Sequence, residues 1–128
     1  MLKLNVMKRF YNVIPLIQDK SILNIILYTL ENNHIRSDSF ESAIKTNNIS
    51  PSTLILLDKD FDDIFTKNVL KTVKDQHLHP CIILAINKNY RYFLSEPLNP
   101  LISGILYKPF EIEELFQILT IDNHAEPN

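Results

Sequence analysis

The chain has 128 residues, 45% hydrophobic and 22% charged, which suits one globular domain large enough to bury a core. Its formal net charge of -2 gives no global pull toward nucleic acid or an anionic membrane. The lone cysteine, Cys81, excludes an internal disulfide and a zinc–thiolate cluster; the lone glycine, Gly104, excludes the glycine-rich loops that cradle nucleotide phosphates.

The first ten residues, Met1 to Phe10, carry charges and lack the apolar stretch and small-residue cleavage site of a secretory signal. No apolar run approaches the length of a membrane span, so a soluble, cytoplasmic protein is expected. Val13 to Ile17 is the first apolar run and reads as a strand. Pro15 lies inside it and would remove a ladder hydrogen bond from an internal strand, so a bulge is expected there. Ile22, Ile25, Ile26 and Leu30 then recur at helical spacing behind Ser21. His34 to Ser37 reads as a short second strand. Phe40, Ala43 and Ile44 form the next helical stripe behind Asp38, with Glu41 placed for a capping box. Asparagine pairs, Asn32-Asn33 and Asn47-Asn48, stand at helix ends where a left-handed residue is needed.

Leu54 to Leu57 is a continuous apolar run ending at Asp58, as expected of a strand buried on both faces. Phe65, Val69, Leu70 and Val73 make a third helical stripe, and Ile82 to Ile86 the next buried strand. Between Tyr90 and Pro100 a further helix is due, but Pro97 and Pro100 restrict it to a short turn followed by irregular chain. Ile105 to Tyr107 is the last strand. Ile112, Leu115, Phe116 and Leu119 form the last helix, with Pro109 and Glu111 as start signals. His124 to Asn128 reads as a frayed tail. Strands alternating with helices at this spacing mean βαβ units and a doubly wound parallel sheet.

Ligands of such a sheet bind beyond the carboxyl ends of its strands. The polar residues collect there: Gln18 and Asp19 after the first strand, Asp58 after the third, Asn87 after the fourth and Lys108 after the last. Three carboxylates (Asp19, Asp58 and Asp60) and one lysine are therefore expected to share a pocket. Clustered carboxylates call for a hard cation, and Mg²⁺ suits oxygen ligands and retained waters. An aspartate can attack phosphorus, and Mg²⁺ and Lys108 would supply the positive charge that a transferring phosphoryl group needs.

At these residues the sequence resembles the receiver domain of bacterial response regulators, the CheY-like superfamily. Leu54-Ile55-Leu56-Leu57-Asp58 resembles the strand that ends in the phosphoacceptor. Ile105-Leu106-Tyr107-Lys108-Pro109-Phe110, with Glu113-Glu114-Leu115, resembles the last strand, the Lys-Pro-Phe motif and the opening of the last helix. Leu16-Ile17-Gln18-Asp19 resembles the first strand and its acidic pair. The resemblance runs from about Tyr11 to Thr120, and implies one receiver-like domain over residues 1–128. It implies a flavodoxin-like, five-stranded parallel sheet in the order 2-1-3-4-5, with a shortened fourth helix. It also implies Asp58 as acceptor of a phosphoryl group from a histidine kinase, with Lys108 pairing to the phosphoryl oxygen across a cis Lys108–Pro109 bond. Metal ligands would be Asp19, Asp58 and the backbone carbonyl of Asp60, with Mg²⁺ as cofactor.

The sequence departs from the family pattern in four places. Gln18 replaces the first acid of the pair, Ala85 the hydroxyl residue of the fourth strand, Ile105 the switch aromatic, and Phe61-Asp62 the usual Met-Pro. These motivate a second reading, a pseudo-receiver that binds partners without being phosphorylated. Neither reading is of an enzyme, beyond slow self-dephosphorylation. A flavodoxin-like cofactor binder or a phosphohydrolase is disfavoured by the missing glycine loops. No output domain fits after Thr120 on this reading, so a downstream protein or a second copy of the chain would read the signal. His77 and His79 form an H-x-H pair with no third ligand nearby and read as surface loop. Tyr90, Arg91, Tyr92 and Phe93 read as a packing or partner surface rather than a nucleic-acid one. Cys81 reads as an inert core residue.

Overall fold

The computed structural model describes residues 6–87 and 99–122. The expected helical turn before Pro97, the aromatic run from Tyr90 and the tail from His124 lie outside the described residues. The main sheet holds β2 (Asn12–Leu16), β3 (Arg36–Ser37), β4 (Thr53–Asp58), β5 (Cys81–Asn87) and β6 (Gly104–Lys108), all parallel, in the order β3-β2-β4-β5-β6. Counted along these five strands, that is the 2-1-3-4-5 order. The helices are α1 (Lys20–Asn32), α2 (Phe40–Lys45), α3 (Asp63–Asp75) and α4 (Ile112–Leu119). Sequence reading gave no hint of a separate two-stranded antiparallel ribbon, in which β1 (Val6–Lys8) pairs with β7 (Thr120–Asp122).

The inner strands are largely apolar because helices cover both faces of the sheet, while the edge strand β3 is exposed. Strand side chains alternate, so Leu54 and Leu56 of β4 join Ile26 and Leu30 of α1 and Leu115 and Leu119 of α4 in one buried cluster. Ile55 and Leu57 join Phe40 and Ala43 of α2 and Val69 and Val73 of α3 in the other. Burying each such aliphatic side chain contributes about 1.5–3 kcal/mol relative to leaving it in water. Gly104 lies in register with Ile83, and a Cβ there would sit 3.1 Å from the Ile83 Cδ1. Cys81 is half-buried against the α1/α4 cluster rather than fully enclosed.

Pro15 makes no bulge. Its strand runs in unbroken register with β4, Pro15 opposite Leu56. The carbonyls of Tyr11 and Val13 accept from Arg36 and Asp38, so the odd-numbered backbone groups of β2 point toward β3. By the same alternation Pro15 turns its missing N–H that way too, past the end of the two-residue β3, and the ladder to β4 is untouched.

The cap of α2 also corrects the sequence reading. Ser39, not Asp38, is the N-cap, and its hydroxyl accepts from the Ser42 amide at 3.1 Å. Asp38 instead pairs with Arg36 at 3.2 Å. At the end of α4's approach, Glu111 is the N-cap and the Glu114 carboxylate accepts from its amide at 2.9 Å, as the start signals suggest.

Three helices close in one manner. The residue after each C-cap is left-handed: His34 (φ 57°), Asn47 (φ 60°) and His77 (φ 54°). Behind it come paired bonds, such as His77 N–H to Lys74 carbonyl at 3.2 Å and Leu78 N–H to Val73 carbonyl at 3.0 Å. Asn47 was legible as such a residue; at the end of α1 the position falls to His34 rather than to Asn33. A side chain with φ near +55° is strained, glycine is not. His77→Gly is therefore expected to raise the unfolding free energy by about 0.5–1 kcal/mol, read from the urea midpoint at unchanged slope.

Candidate functional site

Asp58 is the last residue of β4, the central strand, and only 1% of its surface is exposed. Alternation puts it on the same side of the strand as Leu54 and Leu56. A carboxylate buried at the end of an apolar strand needs several donors to remain charged. It has them. Asp58 Oδ1 accepts from Lys108 Nζ at 2.7 Å and from the Asp60 amide at 3.0 Å, and Oδ2 accepts from the Gln18 amide at 2.9 Å. Lys108 reaches the group from the end of β6, two strands away, because β6 and β4 flank β5 in parallel.

The same ammonium donates to Asp60 Oδ2 at 2.8 Å. Lys108 is thus held between two carboxylates, one buried and one half-exposed at 51%. Burial alone would lower the Lys108 pKa; the hydrogen bonds to Asp58 and Asp60, with the attraction of both charges, raise it above 10.5. The Lys108–Pro109 peptide bond is cis, as the resemblance implies.

Asp19 stands at the same rim, next in sequence to the Gln18 amide that holds Asp58. Its Oδ1 caps α1, accepting from Ser21 at 2.8 Å and Ile22 at 3.1 Å. Metal ligation would draw on the rest of that carboxylate. Among the described residues no group of three His, Cys, Asp or Glu side chains is arranged to hold a metal ion. The donor set of Asp19, Asp58 and the Asp60 carbonyl fits a hard cation that keeps most of its waters, which is the habit of Mg²⁺; Gln18 removes the further carboxylate that would make a tighter cage.

No protein-family model and no curated protein matches this sequence. Its structure is similar to that of a response regulator receiver domain protein (CheY-like) from Methanospirillum hungatei JF-1. The TM-score is 0.63 over 84% of this chain and 90% of that one, at 17% sequence identity. The chain has the receiver fold.

On this fold the departures seen in the sequence have definite places. Ala85 is fully buried in register with Asp58 and offers no hydroxyl beside it. Ile105 is half-buried opposite Leu84. Asp62 is the N-cap of α3, accepting from Ile64 at 2.9 Å and Phe65 at 3.1 Å, so the cap is not Asp58. Phe61 packs on Phe65 with ring centroids 5.7 Å apart. His77 and His79 are exposed, and His77 serves as a helix terminus. No helix among the described residues is long and apolar enough to cross a membrane. One contributor escaped sequence reading: the Gln18 backbone amide, 40 positions from Asp58.

Removing the lysine leaves a buried carboxylate without its counter-charge. Lys108→Met is expected to destabilise the fold by about 3 kcal/mol, measured by denaturant unfolding near neutral pH. The folded lysine has the higher pKa, so its contribution is complete below about pH 10.5 and is lost as pH rises through the folded value. The gap between wild type and Lys108→Met should therefore narrow above pH 10.5; a gap constant with pH would show that the ion pair does not stabilise the fold.

Proposed function

We propose that this chain is a two-component receiver domain in which Asp58 accepts a phosphoryl group from a histidine kinase. The observation that supports this most is the 2.7 Å pair of Asp58 and Lys108 at the carboxyl end of the central strand. A nucleophilic carboxylate and a cation for the arriving charge share the rim where such sheets bind ligands.

In the reaction an Asp58 carboxylate oxygen attacks phosphorus. The O–P bond forms as the donor's P–N bond breaks; the released nitrogen keeps the electron pair and takes a proton from water. Lys108, already on Oδ1, follows the new charge onto a phosphoryl oxygen. Mg²⁺, held by Asp19, Asp58 and the Asp60 carbonyl, would supply further positive charge to the phosphoryl oxygens. The change at Asp58 alters charge at the loops after β4 and β6, and a downstream protein or a second copy of the chain reads that surface. The buried Ala85 cannot pull a hydroxyl toward the phosphoryl group, so the response travels through Lys108 and the Asp60 loop instead. The kinase would meet the domain in the cytoplasm.

One observation favours a second reading. Both Asp58 oxygens are already engaged and the residue is almost fully buried. A pseudo-receiver would use this closed arrangement purely as a structural keystone and bind its partner constitutively.

Incubation with phosphoramidate and Mg²⁺, followed by intact mass measurement, separates the two. The receiver reading expects one added phosphoryl group in wild type, none after removal of Mg²⁺ by chelation, and none in Asp58→Asn. Unchanged mass in wild type under saturating Mg²⁺ would leave the pseudo-receiver.

A further inference from the structure

Ala85 brings no hydroxyl and Ile105 no ring to the side of the sheet that holds the Asp58 carboxylate. A third departure, Phe61, adds an aromatic on the other side. Its ring centroid lies 5.7 Å from that of Phe65 in α3, tilted by 57°. Phe65 in turn lies 6.5 Å from Phe40 in α2, edge to face at 85°. All three rings belong to the α2/α3 layer. The near end of this row is fastened to the site, because the Phe61 amide donates to the Asp58 carbonyl at 3.0 Å. The far end carries α2, a helix of six residues whose buried side chains are Phe40 and Ala43.

We propose that the rings of Phe61, Phe65 and Phe40 relay the state of Asp58 through the sheet to α2, and so reshape the groove between α2 and α3. This rests on the receiver reading above. When Asp58 gains a phosphoryl group, Lys108 turns to the new oxygens and its hold on the Asp60 carboxylate, 2.8 Å long in this structure, changes with it. The turn from Asp58 to Phe61 is therefore the segment that must adjust, and Phe61 moves as part of it. Rings packed at these distances have no void between them to absorb a displacement, so Phe65 and Phe40 follow. The two helices do not respond alike. α3 has thirteen residues and two i,i+4 ion pairs of its own. α2 is too short to hold a helical place unaided and takes its position from what Phe40 meets. α2 is thus the element that yields. Phe40 also lines the groove, with Ile44, Thr72 and Gln76, which brings the moving ring to a surface that α2 and α3 share.

The test is backbone-amide NMR of the full chain with saturating Mg²⁺, before and after adding beryllium fluoride, a phosphoryl mimic that occupies a carboxylate without reacting. In wild type the amides of the Asp58–Phe61 turn should shift, and with them those of α2 and of Thr72 and Gln76 across the groove. Phe65→Leu keeps an apolar side chain and removes the central ring; Phe61→Leu, at a half-exposed loop position, removes the first. In each variant the shifts of the turn should remain, which also shows that the protein is folded, while the shifts of α2 are lost. Turn shifts in wild type with α2 unmoved, or α2 shifts that survive either substitution, would overturn the relay and leave the receiver reading intact. A turn that does not shift in wild type would overturn both.

Discussion

The burial of one carboxylate organises this molecule. Asp58 sits at the end of the most enclosed strand, where an unpaired charge would be far more costly than any single packing defect. Its three donors come from the ends of three different strands and loops: the turn after β2, the loop after β4 itself, and the tip of β6. Satisfying Asp58 therefore fixes those ends relative to one another. The rim is built by that requirement, and the chemistry proposed for it uses the same atoms.

The two hydrophobic layers make that rim rigid. β4 gives alternate residues to both layers, so it cannot shift by one position without turning Leu54 and Leu56 into the wrong cluster and swinging Asp58 to the opposite face. Register and reactivity are thus coupled through a single strand. The absence of a hydroxyl at Ala85 fits this picture: the residue opposite Asp58 is fully buried packing rather than a movable polar contact.

Much of this was legible in the sequence because strand and helix periods differ and the buried strands are unbroken apolar runs. Asp19, Asp58, Asp60 and Lys108 are expected to share a pocket from their places at and beyond strand ends; hydrogen bonds join Lys108 to Asp58 and Asp60, whereas the described bonds of Asp19 go to the start of α1. What escaped had non-local or purely backbone causes. The Gln18 amide acts through its N–H, which no side chain advertises. The ribbon of β1 and β7 uses three-residue strands too short to show a period. Ser39 and Asp38 are both good caps, and only the salt bridge with Arg36 decides between them. Asn12 is buried at the start of β2 with neither amide atom bonded among the described residues, a polar residue in a core position that no pattern rule would place there.

The position of Pro15 has a consequence for how this protein behaves in a crowded solution. Among the described residues β3 pairs only with the first residues of β2, so no strand among them pairs with the upper half of β2 on that side. Open borders invite a foreign extended chain to dock by backbone pairing, the route to aggregates and fibres. Along this border the next outward-facing amide belongs to a proline, and a visiting strand finds no donor there. The ring that looked like a flaw in an internal strand stands where, among the described residues, no strand follows β3 along that side of β2.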